Sequence, residues 1–329
     1  MKIERILSIF WLLALALACA LSCLWHDLFA EFANPFVLDS SDLTRVVGIA
    51  MLAAGSLARV DDVHSVARRR SSALASGCAL WLAPPTLAFI VAKLFHFDGA
   101  RFVGIMAVVY VTSSFASILF THTARGNTSY SFGLTTLTTL LSPLIIPPTL
   151  ALFFRDAKLD LDFDVVIRDF VVTVVIPFGL GFACSHRWSW WRACSSRFGS
   201  FVVNLALVWL VASALGKNIG STSSLTPQIV AASLTLNLGG CLVGYLSGVA
   251  LRLPRGMLRA QTLVFGIQNA GLGASFCAIS FAESKEAVLF CASYSLVSMT
   301  TGIILAHALR LLTPHEESDC AQTEQSQQE

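Results

Sequence analysis

Apolar runs alternate with short polar breaks along almost the whole chain. A bilayer-spanning helix needs about 20 mostly apolar residues. Ten such runs stand at approximately 6–26, 43–58, 72–94, 102–123, 129–154, 166–186, 199–216, 226–250, 258–282 and 287–311. The connections are brief and carry the Pro, Gly and charge signals of breaks. The pattern therefore predicts an all-α polytopic membrane protein, with one transmembrane domain over 1–313 and no linker. The polar tail 314–329 has a disordered composition.

Two of the runs are interrupted. The ninth contains TLVFGIQNAGLGAS, Thr262 to Ser275, which places Gly266, Gln268, Asn269, Gly271 and Gly273 inside an apolar segment. Glycine loosens a helix, and an amide in hydrocarbon needs partners or a cavity. Irregular backbone at membrane depth survives only where protein or water satisfies it. The plainer reading is interhelical glue with small residues for close packing; so dense a cluster points instead to a binding site in a broken helix. The fourth run holds Thr112, Ser113, Ser114 and Ser117 in its middle and His122 near its end. In the fifth, Ser131 and Thr135 are four apart and share a helix face. Hydroxyls can also bond back harmlessly to their own helix. Pro84 and Pro85 are expected to bend or break the third run. Halving the ten spans gives repeats of approximately 1–156 and 157–313, five spans each and hence of opposite orientation. The interrupted runs are the fourth of each half, the positional signature of an inverted-repeat transporter.

Charge orients the chain. Of 329 residues 55% are hydrophobic and only 13% charged, about half the charge of a soluble domain. With the N-terminus in the cytoplasm, 14 of the 22 Lys and Arg fall on the inner side, including Arg59, Arg68, Arg69, Arg70, Arg125, Arg187 and Arg192. Asp156, Asp160, Asp162 and Asp164 fall outside. That asymmetry follows the positive-inside rule and puts both termini in the cytoplasm. The first run resembles a signal peptide but is long for one and reads as a retained helix. HRWSWWRACSSR reads as an aromatic and basic belt between spans six and seven. A net charge of +2 with scattered arginines gives no nucleic-acid patch. Nine cysteines without a CxxC pair are packing thiols, not a metal framework.

At these residues the chain resembles the bile acid:sodium symporter family over almost its full length. TLVFGIQNAGLGAS is similar to that family's E-x-G-x-Q-N-x-x-L segment; ARGNTSYSFGLTTLTTLLSP and GIAMLAAGSLARVDDVHSVARRR are similar to two further family stretches. The resemblance implies ten helices in an inverted repeat, panel and core domains, and crossing helices four and nine unwound beside the solute path. It places Ser117, Ser131 and Thr135 at sodium-site hydroxyl positions and Gln268, followed by Asn269, at a second sodium site. The family's crossing glutamate falls on Val264, the asparagine after the helix-four serine on Ile118, and a helix-three glutamine near Leu80. A hard cation stripped of water needs several oxygens and a compensating carboxylate. Those departures argue against sodium coupling by the family's mechanism.

The function expected is secondary transport of a small organic solute, an organic anion such as a bile-acid-like steroid or a carboxylate, by alternating access in the bilayer. Gln268, Asn269, Ser113, Ser114, Ser117, Ser131 and Thr135 are the candidate solute and ion residues, with no cofactor beyond Na+ itself. The alternative is a solute-binding membrane sensor of the same fold, which would bind without flux. An intramembrane enzyme would need a nucleophile with a base or a metal cluster, and no midspan His, Asp and Glu grouping exists.

Overall fold

A computed structural model describes residues 2–29, 34–59, 70–110, 113–139, 141, 168–217, 226–280 and 285–312. Outside them lie the expectations placed on Arg68 and Arg69, Thr112, the acids of 156–164, and the tail.

The described residues are helical and contain no strand. In chain order the helices are α1 Lys2–Leu28, α2 Ser40–Leu57, α3 Arg70–Leu94, α4 Gly99–Tyr110, α5 Ala116–Thr123, α6 over 128–139, α7 Arg168–Arg187, α8 Ser189–Lys217, α9 Pro227–Ala250, α10 Arg255–Gly266, α11 Ala270–Ser280 and α12 Lys285–Leu311. Among the described residues five segments are long and apolar enough to cross a membrane: Ala75–Leu94, Arg168–Arg187, Ser189–Gly216, Pro227–Ala250 and Lys285–Leu311. At 1.5 Å per residue even the shortest rises about 30 Å, the thickness of the hydrocarbon core.

Three local features depart from the pattern-based reading. Pro84 and Pro85 do not break α3, which runs on from Arg70 to Leu94. Helix α8 begins at Ser189, so the tryptophan and arginine belt is mostly helix and only Trp188 separates it from α7. That stretch has no Gly or Pro before Gly199 to stop a helix. Within α7 the turn Val171–Val175 is a π-helix. Pro177 would clash with the carbonyl four residues back, at Thr173, and a wider turn there makes room for it.

The helices pack as two groups. In one, α2 lies against α7 and α8, and α1 against α8. A Cβ on Gly55 would stand 2.0 Å from the Phe178 carbonyl oxygen, and one on Gly181 2.0 Å from that of Leu52, so α2 and α7 touch backbone to backbone. In the other group α12 packs on α4, α9 and α11, α3 on α4 and α9, and α10 along α9. The α9 face toward α10 is a stripe of Gly240, Gly244 and Gly248, where added Cβ atoms would meet Phe265 O, Gln261 O and the Leu258 side chain at 2.6 to 2.8 Å. The groups meet where α8 packs against α11 and α12.

Candidate functional site

Each of the two interrupted runs becomes two half-helices, α4 with α5 and α10 with α11, and the breaks lie back to back. Ser113 and Gln268 form an isolated antiparallel bridge. Ser114 N–H donates to Ile267 O at 3.0 Å, and Ser113 Oγ donates to Val264 O at 2.8 Å with Ile267 O at 3.2 Å.

A helix end buried in apolar surroundings needs donors for its last carbonyls. Here four consecutive carbonyls are satisfied from different directions. Val264 O accepts from Ser113, and Phe265 O from Nε2 of Gln268 at 2.9 Å. Gly266 O accepts from Nδ2 of Asn237 at 2.6 Å and from the Tyr294 hydroxyl, and Ile267 O from Ser114. Asn237 is steadied in turn by Thr301, whose hydroxyl donates to its Oδ1. On the far side of the break Asn269 Oδ1 accepts from Leu272 N–H at 3.3 Å and caps α11. Ser114 Oγ, just before the N-cap residue Phe115 of α5, accepts from Ala116 N–H at 3.2 Å. Gly266 and Gly273 permit the close approach. A Cβ on the first would lie 2.0 Å from Cys241 Sγ, and on the second 3.2 Å from Ala107 O.

Two cavities adjoin the breaks. A chamber of about 20 Å³, the room of one water molecule, is lined by Ser114, Gln268, Asn269, Ser295 and Ser298 and walled by Trp11 and Leu15 of α1. A vestibule of about 430 Å³ lies between α2, α7 and α8 on one side and α5 and α6 on the other. Its wall is apolar at Leu57, Phe115, Ile118 and Phe132, and its exposed rim carries Arg59, His122 and Arg192 with no acid among the lining residues. Asn204 lines both cavities and is the residue they share. Arg192 is braced by donating from Nε to Ser185 O at 2.9 Å and from Nη2 to His186 O at 3.2 Å, the carbonyls at the end of α7.

The structure distributes the seven sequence-derived candidates over two neighbouring patches. Ser113, Ser114, Gln268 and Asn269 are at the breaks, all at most 5% exposed. Ser117, Ser131 and Thr135 form a second buried patch between α5 and α6, where Thr121 Oγ1 donates to Ser117 O at 2.7 Å and stands 3.4 Å from Ser131 Oγ. Among the described residues Ser117 Oγ, Thr135 Oγ1 and the neighbouring Thr136 Oγ1 are buried with no hydrogen-bond partner. Val264 and Leu80 are packed together with Leu134 and Phe265 in one apolar cluster. Tyr294, Asn204 and Asn237 are not among the sequence-derived candidates. Asn237 had left a signal, an amide within an apolar run; Tyr294 had left none.

Comparison with known proteins identifies the family. The model of the Sodium Bile acid symporter family matches residues 44–225. The chain is 25% identical over 262 residues to the "Uncharacterized sodium-dependent transporter YocS" of Bacillus subtilis, covering 78% of this chain and 81% of that protein. It is 25% identical over 324 residues to the rice "Probable sodium/metabolite cotransporter BASS1, chloroplastic" (96% and 76%), and 26% over 275 residues to the Arabidopsis thaliana protein of the same name (82% and 67%). With its apolar helices and a family model matched over more than half its length, this integral membrane protein belongs to the sodium bile acid symporter family.

Proposed function

We propose that the protein is a secondary carrier of an organic anion, a bile-acid-like steroid or a carboxylate, working by alternating access without sodium coupling. The observation that carries this reading is that Asn204 lines both the vestibule, whose rim bears Arg59 and Arg192, and the chamber at Gln268 and Asn269. Arg59 and Arg192 at the rim complement an anionic group, and the apolar wall accommodates a hydrophobic body. The half-helices α5 and α11 both start at the breaks, so their positive dipole ends favour negative charge there. In this reading the ten segments form an inverted repeat over 1–156 and 157–313, and both termini are cytoplasmic. The α1, α2, α7 and α8 group rocks against the rest, and Asn204 is exchanged between vestibule and chamber surfaces. Gln268 and Asn269 bind solute. Ser113 has its hydroxyl committed to carbonyls and holds the break.

Donor chemistry supports the absence of sodium coupling. Ser117, Ser131 and Thr135 supply neutral hydroxyls only, and Val264 and Leu80 present apolar surface where a carboxylate and an amide would complete a cation site. Every described acid lies within two turns of a helix end or in a connecting turn. A dehydrated cation would meet no compensating charge. The unpartnered hydroxyls of Ser117 and Thr135 suit a water molecule or a neutral group.

Charge selectivity tests the reading. Proteoliposomes should take up labelled cholate or a labelled small carboxylate and ignore the matching methyl ester. Arg59→Gln with Arg192→Gln should raise KM for the anion. Equal uptake of acid and ester, or an unchanged KM in the double variant, would refute anion recognition at the vestibule.

A further inference from the structure

The half-helix α10, which carries the Gln268 break, is fastened by a buried polar cluster at Gln261 that no part of the solute path uses. Gln261 is fully buried. Its Oε1 accepts from Ser76 Oγ of α3 at 2.7 Å and from the Tyr130 hydroxyl of α6 at 2.8 Å, and these two hydroxyls are 2.9 Å apart. Its Nε2 donates to Ser247 Oγ of α9 at 2.9 Å. Four helices therefore converge on one side chain. Three oxygens at mutual distances of 2.7 to 2.9 Å leave no room for an ion between them, so the cluster is a closed set of hydrogen bonds.

The reason to place polar groups here lies in the neighbouring interface. Where α10 runs along α9 it meets Gly240, Gly244 and Gly248, a face without side chains. Such a face lets backbones touch but offers no knobs to fix a register. An apolar residue at 261 could fill the same volume, whereas directional bonds to three other helices select one rotation and one height for α10. One turn further along, Leu80, Leu134 and Val264 follow Ser76, Tyr130 and Gln261 on the same three helices and meet in an apolar layer. That layer separates the cluster from the break.

We infer that Gln261, with Ser76, Tyr130 and Ser247, is an uncharged clamp that sets the register of α10 and so positions Gln268 and Asn269 for solute. These are positioning residues, and the inference rests on the reading that the amide pair meets the solute. Gln261→Met is the decisive variant. It leaves Ser76 and Tyr130 bonded to each other and Ser247 able to donate to Gly244 O at 3.1 Å, so no buried hydroxyl is orphaned. Hydrogen exchange read on the full-length protein in detergent should be about tenfold faster in peptides covering 113–117 and 262–275, with the remaining helices unchanged. The KM for labelled cholate should rise about tenfold with little change in maximal rate. Arg45→Gln, which removes an exposed ion pair with Asp42 in the first turns of α2, should alter neither reading. Exchange at wild-type rates in those two peptides overturns the clamp, whatever transport shows; so does a loss of protection spread over the whole chain. An absence of cholate uptake by the wild type, with local exchange as expected, keeps the clamp and removes the solute reading. Should Gln261→Met not fold, Tyr130→Phe, which spares the Ser76 bond, decides by the same exchange criterion with a smaller shift.

Discussion

Truncating Gln268 separates holding the break from holding the solute. The side chain is 5% exposed, its Nε2 donates to Phe265 O at 2.9 Å, and the rest of the amide lines the chamber. Gln268→Ala removes that intramolecular bond, worth about 1 kcal/mol net, and leaves the Phe265 carbonyl without its donor. The neighbouring carbonyls at 264, 266 and 267 keep theirs, so the break should persist with a modest fall in melting temperature. The solute loses more. An amide oxygen and its second N–H can make two bonds to a bound anion or hydroxyl, about 1 to 3 kcal/mol together. That corresponds to roughly 5- to 150-fold in affinity, and uptake at low solute concentration should fall by the same factor. The assay pairs initial uptake rates in proteoliposomes with thermal melting of the same preparation. Wild-type KM in a variant that has lost the Phe265 bond would refute the placement of solute at this amide.

Two further outcomes follow from local geometry. Gly244→Ala would put a Cβ 2.7 Å from Gln261 O and from Phe265 Cβ, forcing α9 and α10 apart; the overpacking should cost about 1 to 3 kcal/mol and appear as a lower melting temperature. Asp39 caps α2 by accepting from Asp42 N–H at 2.7 Å, and that bond, followed by the Ser41 hydroxyl, holds its carboxyl below the usual aspartate range. A depressed folded pKa makes the contribution complete above the unfolded value of about 3.9 and lost as pH falls through the folded one. The melting-temperature gap between wild type and Asp39→Ala should be constant from neutral pH down to about 5 and narrow progressively as pH falls below the unfolded value of about 3.9; a gap that does not narrow would show that the carboxylate's charge plays no part.

Much of the site was legible because polar groups in hydrocarbon are conspicuous. Gln268 and Asn269 in the ninth run and the serines of the fourth had to be partnered or exposed to a cavity, and the structure shows Ser113 and Ser114 bonded to the ninth run's backbone and the two amides to their own. The long-range partners were not legible. Tyr294 is an ordinary aromatic in an apolar run until α12 packs beside Gly266, and Gln261 looks like an isolated amide until α3, α6 and α9 converge on it. The vestibule was hidden for the same reason, since Arg59 and Arg192 are 133 positions apart in the chain and read separately as topology anchors. Local rules also misjudged two elements. The paired prolines left α3 unbroken, and the basic, tryptophan-rich belt extended α8 by ten residues, because interfacial polarity alone does not end a helix that lacks Gly or Pro.

The account turns on a carrier whose crossing works without a cation. Its most direct test is initial uptake of a labelled organic anion into proteoliposomes, with an inward sodium gradient and with choline in its place. The account requires the same rate in both, within about twofold, because Val264 and Ile118 remove the charge and an amide that a coupled sodium would need. Accumulation against a gradient only when sodium is present would contradict it and would show that Ser117, Ser131, Thr135 and Gln268 hold the ion unaided.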